Sequence, residues 1–464
     1  MTKGPNQSVW IPAIRKSDGP LYLAIADALA ADISSGLLRE GSRLPTQRRL
    51  AVALGIDFTT VTRAYTEAQR RGLVEGRVGL GTYIKVQSAP PAPAATGVID
   101  LSTNWPPHFR DQKLVARLWQ GMSSLNAPGG LDLLLNYQET GGAGPDRAAG
   151  AQWLSRQFPA LAPERVVVCP GAQGALFAIA GQLASSGEAI CAGAMTYPGF
   201  RSLAAHQGWR LIPVAMDDEG LIPEAFDKAC RRHHPKALYT TPTLHNPTTA
   251  TMPASRREAI AAIAREHQIP IIEDDAYGML PRQPPPPLAV FAPELTYYIS
   301  SLAKCLSPAL RVAYVVPPDP RAASRLAGAI RATMSMTSPL TAAIATRWIQ
   351  DGTADEVRAA IRAEMNERQE IARAVLPADM IRAHPEGLHL WLRLPSPWTR
   401  GAFMNQLHAS GISVTSSDVF ALEAPPEAVR LSLGRAHSLA KLRQGLETIA
   451  ALLSEQPAIS AMMV

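Results

Sequence analysis

The stretch that decides the fold is SSLAKCLSPALRVAYVVPP, residues 300–318. It places Lys304 among small and apolar residues, with Arg311 seven positions later and a β-prone run behind it. An ammonium group is strongly hydrated, so an apolar setting disfavours the charged form and favours its use as a nucleophile. The alternative is a surface lysine whose stem lies along apolar side chains. The segments on either side decide between the two.

These segments alternate short apolar strands with helical patterns. Strands are predicted in ERVVVCPGAQGALFAIAGQLA, KALYTTPTLHNPT, PIIEDDAYGML and TYYISSLAK, and a helix is predicted in SRREAIAAIAREHQ. This order is typical of an α/β domain built around a largely parallel sheet. Ligands of such domains bind at the carboxyl ends of the strands, which is where the polar residues of these segments fall.

The residues at the strand ends suit one cofactor. Backbone amides of Ala172 and Gln173 would hold a phosphate, although a plain strand–helix turn has the same pattern. The ring of Tyr197 would stack on a planar ligand or pack in a core. A strand-end carboxylate such as Asp274 needs a cationic partner. Pyridoxal 5′-phosphate brings an aldehyde, a phosphate, a phenolic oxygen and a pyridinium nitrogen, so it satisfies these residues and Lys304 together.

Five motifs in this order make residues 99–453 resemble the fold-type I aminotransferases. The resemblance implies that Lys304 forms a Schiff base with the cofactor and that Asp274 pairs with its ring nitrogen. Arg430, in VRLSLG, is implied as the clamp for an effector carboxylate, and no metal is implied. Further cofactor contacts are implied at the phenolic oxygen (Asn246, Tyr277), the phosphate (Ala172, Gln173, Ser301, Arg311), the ring face (Tyr197) and, from a neighbouring subunit, the phosphate (Tyr137).

The chain departs from the aminotransferase pattern at four positions. Thr249 and Ala313 stand where glycine is usual, and Glu386 and His389 stand where a glycine and an apolar residue are usual. The predicted cofactor contacts are kept, and the differences lie on the substrate side. Cofactor binding is therefore predicted, while transamination is left open as a residual activity.

A basic segment precedes this body. The first 88 residues carry 12 Lys and Arg against 7 Asp and Glu, in a chain of net charge +6, which predicts a polyanionic partner for this end alone. Helical patterns are found in LYLAIADALAADISSGLL, PTQRRLAVALG and DFTTVTRAYTEAQRRG, and a hairpin pattern follows in LVEGRVGLGTYIKV. This is the order of a winged helix-turn-helix, in which the second and third helices read DNA. Asp57 is the predicted N-cap of the third helix.

The stretches LPTQRRLAVALGIDFTTVTRAY and GLVEGRVGLGTYI resemble the GntR-type winged helix. Hydroxyl groups, helix N-termini and Arg side chains suit phosphates or guanine edges, whereas each Arg alone also fits a solvated helix face. Asp57 and Phe58 stand where Ser-Arg is usual, so docking of the third helix is expected to differ. The resemblance implies DNA contacts from Arg48, Thr60, Arg63, Arg77, Gly79 and Gly81.

Composition sets the domain boundaries. QSAPPAPAATG is rich in Pro and Ala and is typical of a semi-rigid linker. We predict a winged-helix domain at 15–87, a linker at 88–98 and an aminotransferase-like domain at 99–460. There is no apolar run long enough for a membrane span, no secretory pattern and no paired spacing among the four cysteines, which predicts a cytoplasmic protein.

The fusion of the two modules resembles the MocR-type transcriptional regulators. It implies a bacterial regulator that binds double-stranded operator DNA as a head-to-tail homodimer with swapped DNA-binding domains. It also implies a body that senses pyridoxal phosphate or an amino compound. An effector amine would displace Lys304 from the cofactor, be anchored by Arg430 and change the spacing of the winged helices. The alternatives are an aminotransferase with an accessory N-terminal domain and a sensor of pyridoxal phosphate itself.

Overall fold

The computed structural model describes residues 10–13, 20–34, 37–38, 41–77, 81–85, 98–107, 111–123 and 136–455. The chain divides into two compact units, the N-terminal unit Met1–Ala95 and the C-terminal unit Thr96–Val464. The predicted linker, residues 88–98, lies outside the described residues except for Val98.

The N-terminal unit is a winged helix-turn-helix, as predicted. Its elements are α1 (Leu21–Ser34), α2 (Gln47–Leu54), α3 (Phe58–Arg70), β1 (Val74–Arg77) and β2 (Gly81–Ile84). The two strands pair antiparallel, with Val74 opposite Ile84. Helical and strand periodicity turn one face of each element inward, and the resulting core includes Leu29, Leu50, Val61, Tyr65 and Ile84.

Local sequence rules set the ends of α2 and α3. The Thr46 side chain accepts from the Arg49 amide at 3.3 Å, and Gly55 ends α2 in the left-handed conformation, with φ at 63°. The Asp57 carboxylate accepts from the Thr59 amide at 2.7 Å at the start of α3. Hydrogen bonds from the Thr59 hydroxyl and amide lower the pKa of Asp57. The predicted N-cap is confirmed, so an Asp here preserves the helix start that a Ser would give.

Replacing Asp57 with Ala should loosen the start of α3. The change removes the carboxylate that accepts from the Thr59 amide, and this amide has no other acceptor within the helix. Hydrogen exchange of the α3 amides, followed by mass spectrometry, should become about five-fold faster. Asp57→Ser keeps a capping oxygen and is the matched control, with exchange close to that of the unmodified chain. Equal acceleration in both variants would contradict a capping role.

The C-terminal unit contains the other helices and strands that the structure describes. None of these helices is long and apolar enough to cross a membrane. The helices are α4 (Gln112–Ser123), α5 (Gly144–Leu154), α6 (Gly171–Leu183), α7 (Pro198–Gln207), α8 (Pro223–His233), α9 (Ala254–Glu266), α10 (Leu288–Phe291), α11 (Pro320–Met334), α12 (Pro339–Gln350), α13 (Thr353–Val375), α14 (Arg400–Ala409) and α15 (Leu439–Ser454). The strands are β3 (Ile99–Asp100), β4 (Val167–Cys169), β5 (Ala189–Gly193), β6 (Arg210–Val214), β7 (Met216–Asp217), β8 (Gly220–Leu221), β9 (Ala237–Thr240), β10 (Ile271–Asp274), β11 (Thr296–Ser301), β12 (Ala313–Val316), β13 (Ile381–Ala383), β14 (His389–Arg393), β15 (Ile412–Ser413), β16 (Thr415–Ser416) and β17 (Ala428–Ser432).

Seven strands in the described part of the C-terminal unit form one sheet, in the order β4-β12-β11-β10-β9-β5-β6. Neighbouring strands are parallel except where β12 pairs with β11 and β4. The largely parallel sheet is as predicted. β12 is antiparallel because the chain returns directly from β11 through the turn that carries Lys304, with no crossover helix. Both faces are covered, since Ile272 and Ile271 belong to separate buried clusters.

A second sheet, β13-β14-β17-β16, is antiparallel. In its register His389 lies opposite Ser432 and Trp391 lies opposite Arg430. Because side chains alternate along a strand, His389 and Arg430 lie on the same face. β3 pairs in parallel with β15 beside this sheet. The residues directly after the predicted linker are thereby joined to the C-terminal part of the chain.

Candidate functional site

The predicted cofactor residues meet in a cavity of about 500 Å³ at the carboxyl ends of β4, β5, β9, β10 and β11. Tyr137 is not among its lining residues and is 86% exposed, so its predicted contact with a neighbouring subunit stays a prediction. The predicted residues that line the cavity are Ala172, Gln173, Tyr197, Asn246, Asp274, Tyr277, Ser301, Lys304, Arg311 and Arg430.

Lys304 lies in the turn between β11 and β12. Its Nζ donates a hydrogen bond to the backbone oxygen of Asn104, 200 positions earlier in the chain. Burial lowers the pKa of Lys304 to about 8, with the positive charge of Arg430 as the next cause. A lysine with this pKa holds more neutral amine near pH 7 than an ordinary lysine does, so it is a better nucleophile.

Asp274 ends β10 and is buried. Its Oδ2 accepts from the Tyr239 hydroxyl at 3.0 Å, and its Oδ1 has no hydrogen-bond partner. Burial raises the pKa of Asp274 to about 6. A buried carboxylate oxygen without a donor is costly unless a ligand supplies one. The protonated nitrogen of a pyridine ring is such a donor, so this residue fits pyridoxal phosphate.

A phosphate fits at the start of α6. The helix has no side-chain N-cap, and its first amides, including those of Ala172 and Gln173, have no partner within the helix. The Arg311 guanidinium lies against Gly171, where an added Cβ would be 3.3 Å from Nη2. Ser301 ends β11 in the wall of the same cavity. A helix N-terminus beside an Arg is a favourable setting for a phosphate.

Arg430 projects from β17 into the cavity and is buried. Its Nη1 donates to Asn246 Oδ1 at 2.8 Å, and its Nη2 donates to the Ser102 backbone oxygen at 2.5 Å. Its Nε has no hydrogen-bond partner, and its guanidinium lies 5.1 Å from the centre of the Phe420 ring. Burial lowers the pKa of Arg430. An anionic group entering the cavity would offset this burial cost.

Among the residues that the sequence did not predict, Asn104 lines the cavity and Tyr239 holds Asp274. Asn104 Nδ2 donates to the Tyr277 hydroxyl oxygen at 2.9 Å and lies 3.1 Å from His389 Nδ1. Tyr239 stacks on Phe200 with the ring centres 3.8 Å apart. In the sequence, Asn104 is a polar residue in LSTNWPP, the stretch that directly follows a short strand. No spacing rule connects it to Lys304.

The departures from the aminotransferase pattern have separate surroundings. Thr249 has a left-handed backbone with φ at 64°, which explains why glycine is favoured there. Ala313 lies opposite Ser301 in the β11–β12 pair. The Glu386 carboxylate accepts from the Arg282 amide at 2.9 Å and pairs with its guanidinium at 3.1 Å. His389 differs from the other three because its side chain lies within hydrogen-bond distance of a side chain in the cavity wall, that of Asn104.

The predicted DNA contacts fall on the N-terminal unit. Arg48 on α2 and Arg63 on α3 are exposed, and Thr60 is half-buried in the first turn of α3. The Arg63 guanidinium lies 4.4 Å from the centre of the Tyr22 ring. Gly81 begins β2, whereas Gly79 and the Arg77 side chain lie outside what the structure describes. These contacts stay predictions.

Arg43 was not predicted from the sequence and lies close to one of these residues, Gly81. Its guanidinium group lies against the wing, because an added Cβ on Gly81 would be 2.9 Å from Arg43 Nε. Gly81 has φ at 111°, a conformation that favours glycine. An Arg guanidinium therefore lies at the loop end of the wing, beside the predicted DNA contact at Gly81.

Two family models match the chain. Residues 96–449 match "Aminotransferase class I and II", and residues 21–84 match "Bacterial regulatory proteins, gntR family". The uncharacterized HTH-type transcriptional regulator YdeF of Bacillus subtilis is 27% identical over 453 residues, which cover 96% of this chain and 97% of YdeF. The chain belongs to the MocR-type transcriptional regulators. The predicted fusion of a GntR-type domain with an aminotransferase-like domain is confirmed.

Other comparisons of this MocR-type regulator agree. The vitamin B6 salvage pathway transcriptional repressor PtsJ of Salmonella typhimurium is 26% identical over 422 residues, covering 90% of this chain and 95% of PtsJ. Among solved structures, the α-aminoadipate aminotransferase LysN of Thermus thermophilus matches with a TM-score of 0.66 and 24% identity, covering 79% of this chain and 96% of LysN. The likeness to LysN shows the aminotransferase fold of the C-terminal unit.

Proposed function

We propose that this MocR-type regulator binds operator DNA through its N-terminal unit and that its C-terminal unit binds pyridoxal 5′-phosphate to sense the cofactor or an amino compound. The observation that carries the proposal is the set of groups in the cavity. A lysine with a lowered pKa, an unpartnered carboxylate oxygen and an Arg beside a helix start line the same space. These are the groups that pyridoxal phosphate requires.

Each group of the cofactor has a residue to hold it. The Lys304 amine would take the aldehyde, Asp274 the ring nitrogen and Tyr197 the ring face. When bound, pyridoxal phosphate supplies a carbonyl carbon for an amine and a ring that withdraws electrons from it. Tyr277 and Asn246 would contact the phenolic oxygen, and the phosphate would be held by Ala172, Gln173, Ser301 and Arg311.

Arg430 would anchor the carboxylate of an effector. Its Nε has no partner, so an effector carboxylate that binds Nε and Nη2 would exchange the contact of Nη2 with the Ser102 backbone oxygen. Such an effector binds more tightly to the arrangement in which Arg430 has left the Ser102 backbone oxygen than to the arrangement in which it has not. Such differential affinity is what a ligand needs to change the DNA-binding state.

The assembly we propose is a cytoplasmic homodimer with DNA-binding units swapped between partners. The exposure of Tyr137 supports the predicted contact with a neighbouring subunit. Two subunits also match the two half-sites of an operator. The name of PtsJ, a repressor of the vitamin B6 salvage pathway, supports pyridoxal phosphate itself as an effector.

An aminotransferase with an accessory N-terminal domain is the second candidate. It is favoured by the cavity, which keeps the predicted cofactor residues together. Both functions predict a chain that binds pyridoxal phosphate, so DNA binding discriminates between them. Rapid multiple-turnover transamination by a chain that binds all duplexes equally would support the enzyme.

The full chain should select a specific duplex from a random-sequence library, with an affinity that falls steeply as salt rises. Arg48→Ala and Arg63→Ala should each weaken binding and reduce the slope of log affinity against log salt by about 1. Arg443→Ala, at an exposed position on α15, is the control and should change neither quantity. Unchanged slopes in both test variants would contradict the assigned DNA surface. Titration with pyridoxal phosphate or amino acids then separates the two kinds of effector.

A further inference from the structure

A chain of buried hydrogen bonds lies behind the cavity wall and ends at Tyr277. His389 Nε2 lies 3.1 Å from the His245 backbone oxygen, and His389 Nδ1 lies 3.1 Å from Asn104 Nδ2. The same Nδ2 lies 2.9 Å from the Tyr277 hydroxyl oxygen. Gln369 Nε2 holds the His389 backbone by donating to its carbonyl oxygen at 3.2 Å. His389 is fully buried, so water does not compete for these contacts.

The direction of each hydrogen bond follows from the groups themselves. A backbone carbonyl only accepts, so His389 Nε2 carries the hydrogen that goes to His245. Burial lowers the pKa of His389 to about 3, and the ring is neutral with a lone pair on Nδ1. Nδ1 therefore accepts from Asn104 Nδ2. The second hydrogen of the same Nδ2 goes to the Tyr277 oxygen.

The fixed amide determines where the Tyr277 hydrogen points. Its oxygen accepts from Asn104, so its own hydrogen is available to another acceptor, and Tyr277 lines the cavity. Burial raises the pKa of Tyr277, so the hydroxyl stays protonated. If the Asn104 amide turned over, its oxygen would face the lone pair of His389 Nδ1 and would draw the Tyr277 hydrogen away from the cavity. His389 opposes that turn.

We propose that His389 is a positioning residue that, through Asn104, directs the Tyr277 hydroxyl hydrogen toward the phenolic oxygen of pyridoxal phosphate. The inference rests on the proposed function, because the cofactor has to occupy the cavity. It accounts for a histidine where the aminotransferase pattern has an apolar residue, since an apolar side chain leaves the Asn104 amide free to turn. The unpartnered Asn104 Oδ1 remains as an acceptor for a ligand.

The test is the pH titration of the visible absorption band of the full chain loaded with pyridoxal phosphate. A hydroxyl donor stabilises the negative form of the phenolic oxygen, so its loss should raise the pH midpoint of the band. We expect His389→Leu to raise the midpoint by about one pH unit. The other charged or titratable groups near Tyr277 and His389 are unchanged in this variant: Lys304, Arg430, Asp274, Tyr197 and His245.

Matched variants separate positioning from general damage. His389→Asn places an amide oxygen near the position of Nδ1 and should keep the midpoint within about 0.3 pH units of the unmodified chain. Asn104→Ala removes the donor to Tyr277 and should reproduce the rise. Tyr277→Phe by itself should also raise the pH midpoint. Adding His389→Leu to Tyr277→Phe should raise the midpoint no further, because both substitutions act through the Tyr277 hydroxyl.

Three results would overturn the inference while cofactor binding persists. These are an unchanged midpoint in His389→Leu, an equal rise in His389→Asn and His389→Leu, or a further rise when His389→Leu is added to Tyr277→Phe. A chain that never acquires the band contradicts the proposed function instead. If His389→Leu does not fold, the pH midpoint is measured instead in Asn104→Ala and in the double variant Asn104→Ala/Tyr277→Phe. A midpoint in the double variant that exceeds that of Tyr277→Phe would overturn the inference in the same way.

Discussion

Lys304→Ala should abolish covalent capture of pyridoxal phosphate. Lys304 supplies a cavity-lining amine whose pKa is lowered to about 8, and Ala leaves no nucleophile in its place. The chain is incubated with pyridoxal phosphate, reduced with borohydride and digested, and the modified peptide is identified by mass spectrometry. We expect the adduct on residues 300–318 in the unmodified chain and none on that stretch in the variant.

Lys441→Ala, at an exposed position on α15, is the control and should retain the full adduct. An adduct of unchanged yield on another lysine of the Lys304→Ala chain would contradict the assignment. The same variant tests signalling through the selected duplex. If its DNA affinity and its response to pyridoxal phosphate and amino acids equal those of the unmodified chain, the proposed sensing mechanism fails.

Asp274→Asn should weaken pyridoxal phosphate binding by about 100-fold or more, because removal of one charge from a buried ion pair is strongly unfavourable. The variant keeps the shape of the side chain and an acceptor for the Tyr239 hydroxyl. Equilibrium titration by absorbance measures the dissociation constant. Tyr239→Phe leaves the carboxylate in place and should cost less, so equal losses would contradict a direct ion pair with the ring nitrogen.

The same substitution should stabilise the cofactor-free chain at neutral pH. Burial raises the pKa of Asp274 from 3.8 to about 6 in the folded chain, so its ionisation opposes folding. This penalty is absent below the unfolded pKa, grows as the pH rises from 3.8 to about 6 and is complete above that value. The difference in melting temperature between Asp274→Asn and the unmodified chain should follow this course, and a difference independent of pH would contradict it.

Local rules and sheet topology made part of this molecule predictable. Thr46, Gly55 and Asp57 mark helix ends in the sequence and do so in the structure. Asp274 and Lys304 are brought together because the carboxyl ends of parallel strands meet at one edge of a sheet. Both results follow from local signals and from the pairing of two strands that are consecutive along the chain.

The rest depends on pairings that no local pattern reveals. Asn104 reaches Lys304 because β3 pairs with β15, and His389 reaches Asn104 because β14 pairs with β17. Tyr239 stands inside an apolar strand, where a tyrosine is an ordinary core residue. The sequence shows His389 to be unusual, but the hydrogen-bond partners of its ring come from segments at least 144 positions away.

The short segment Ser102–Asn104 connects the cavity to the predicted linker. Its backbone oxygens accept from Arg430 at one end and from Lys304 at the other, and it begins four residues after Val98. A ligand that engages both cations competes with these two backbone oxygens for their N–H donors. The backbone shortly after the predicted linker is therefore a stand-in acceptor for both cations of the cavity.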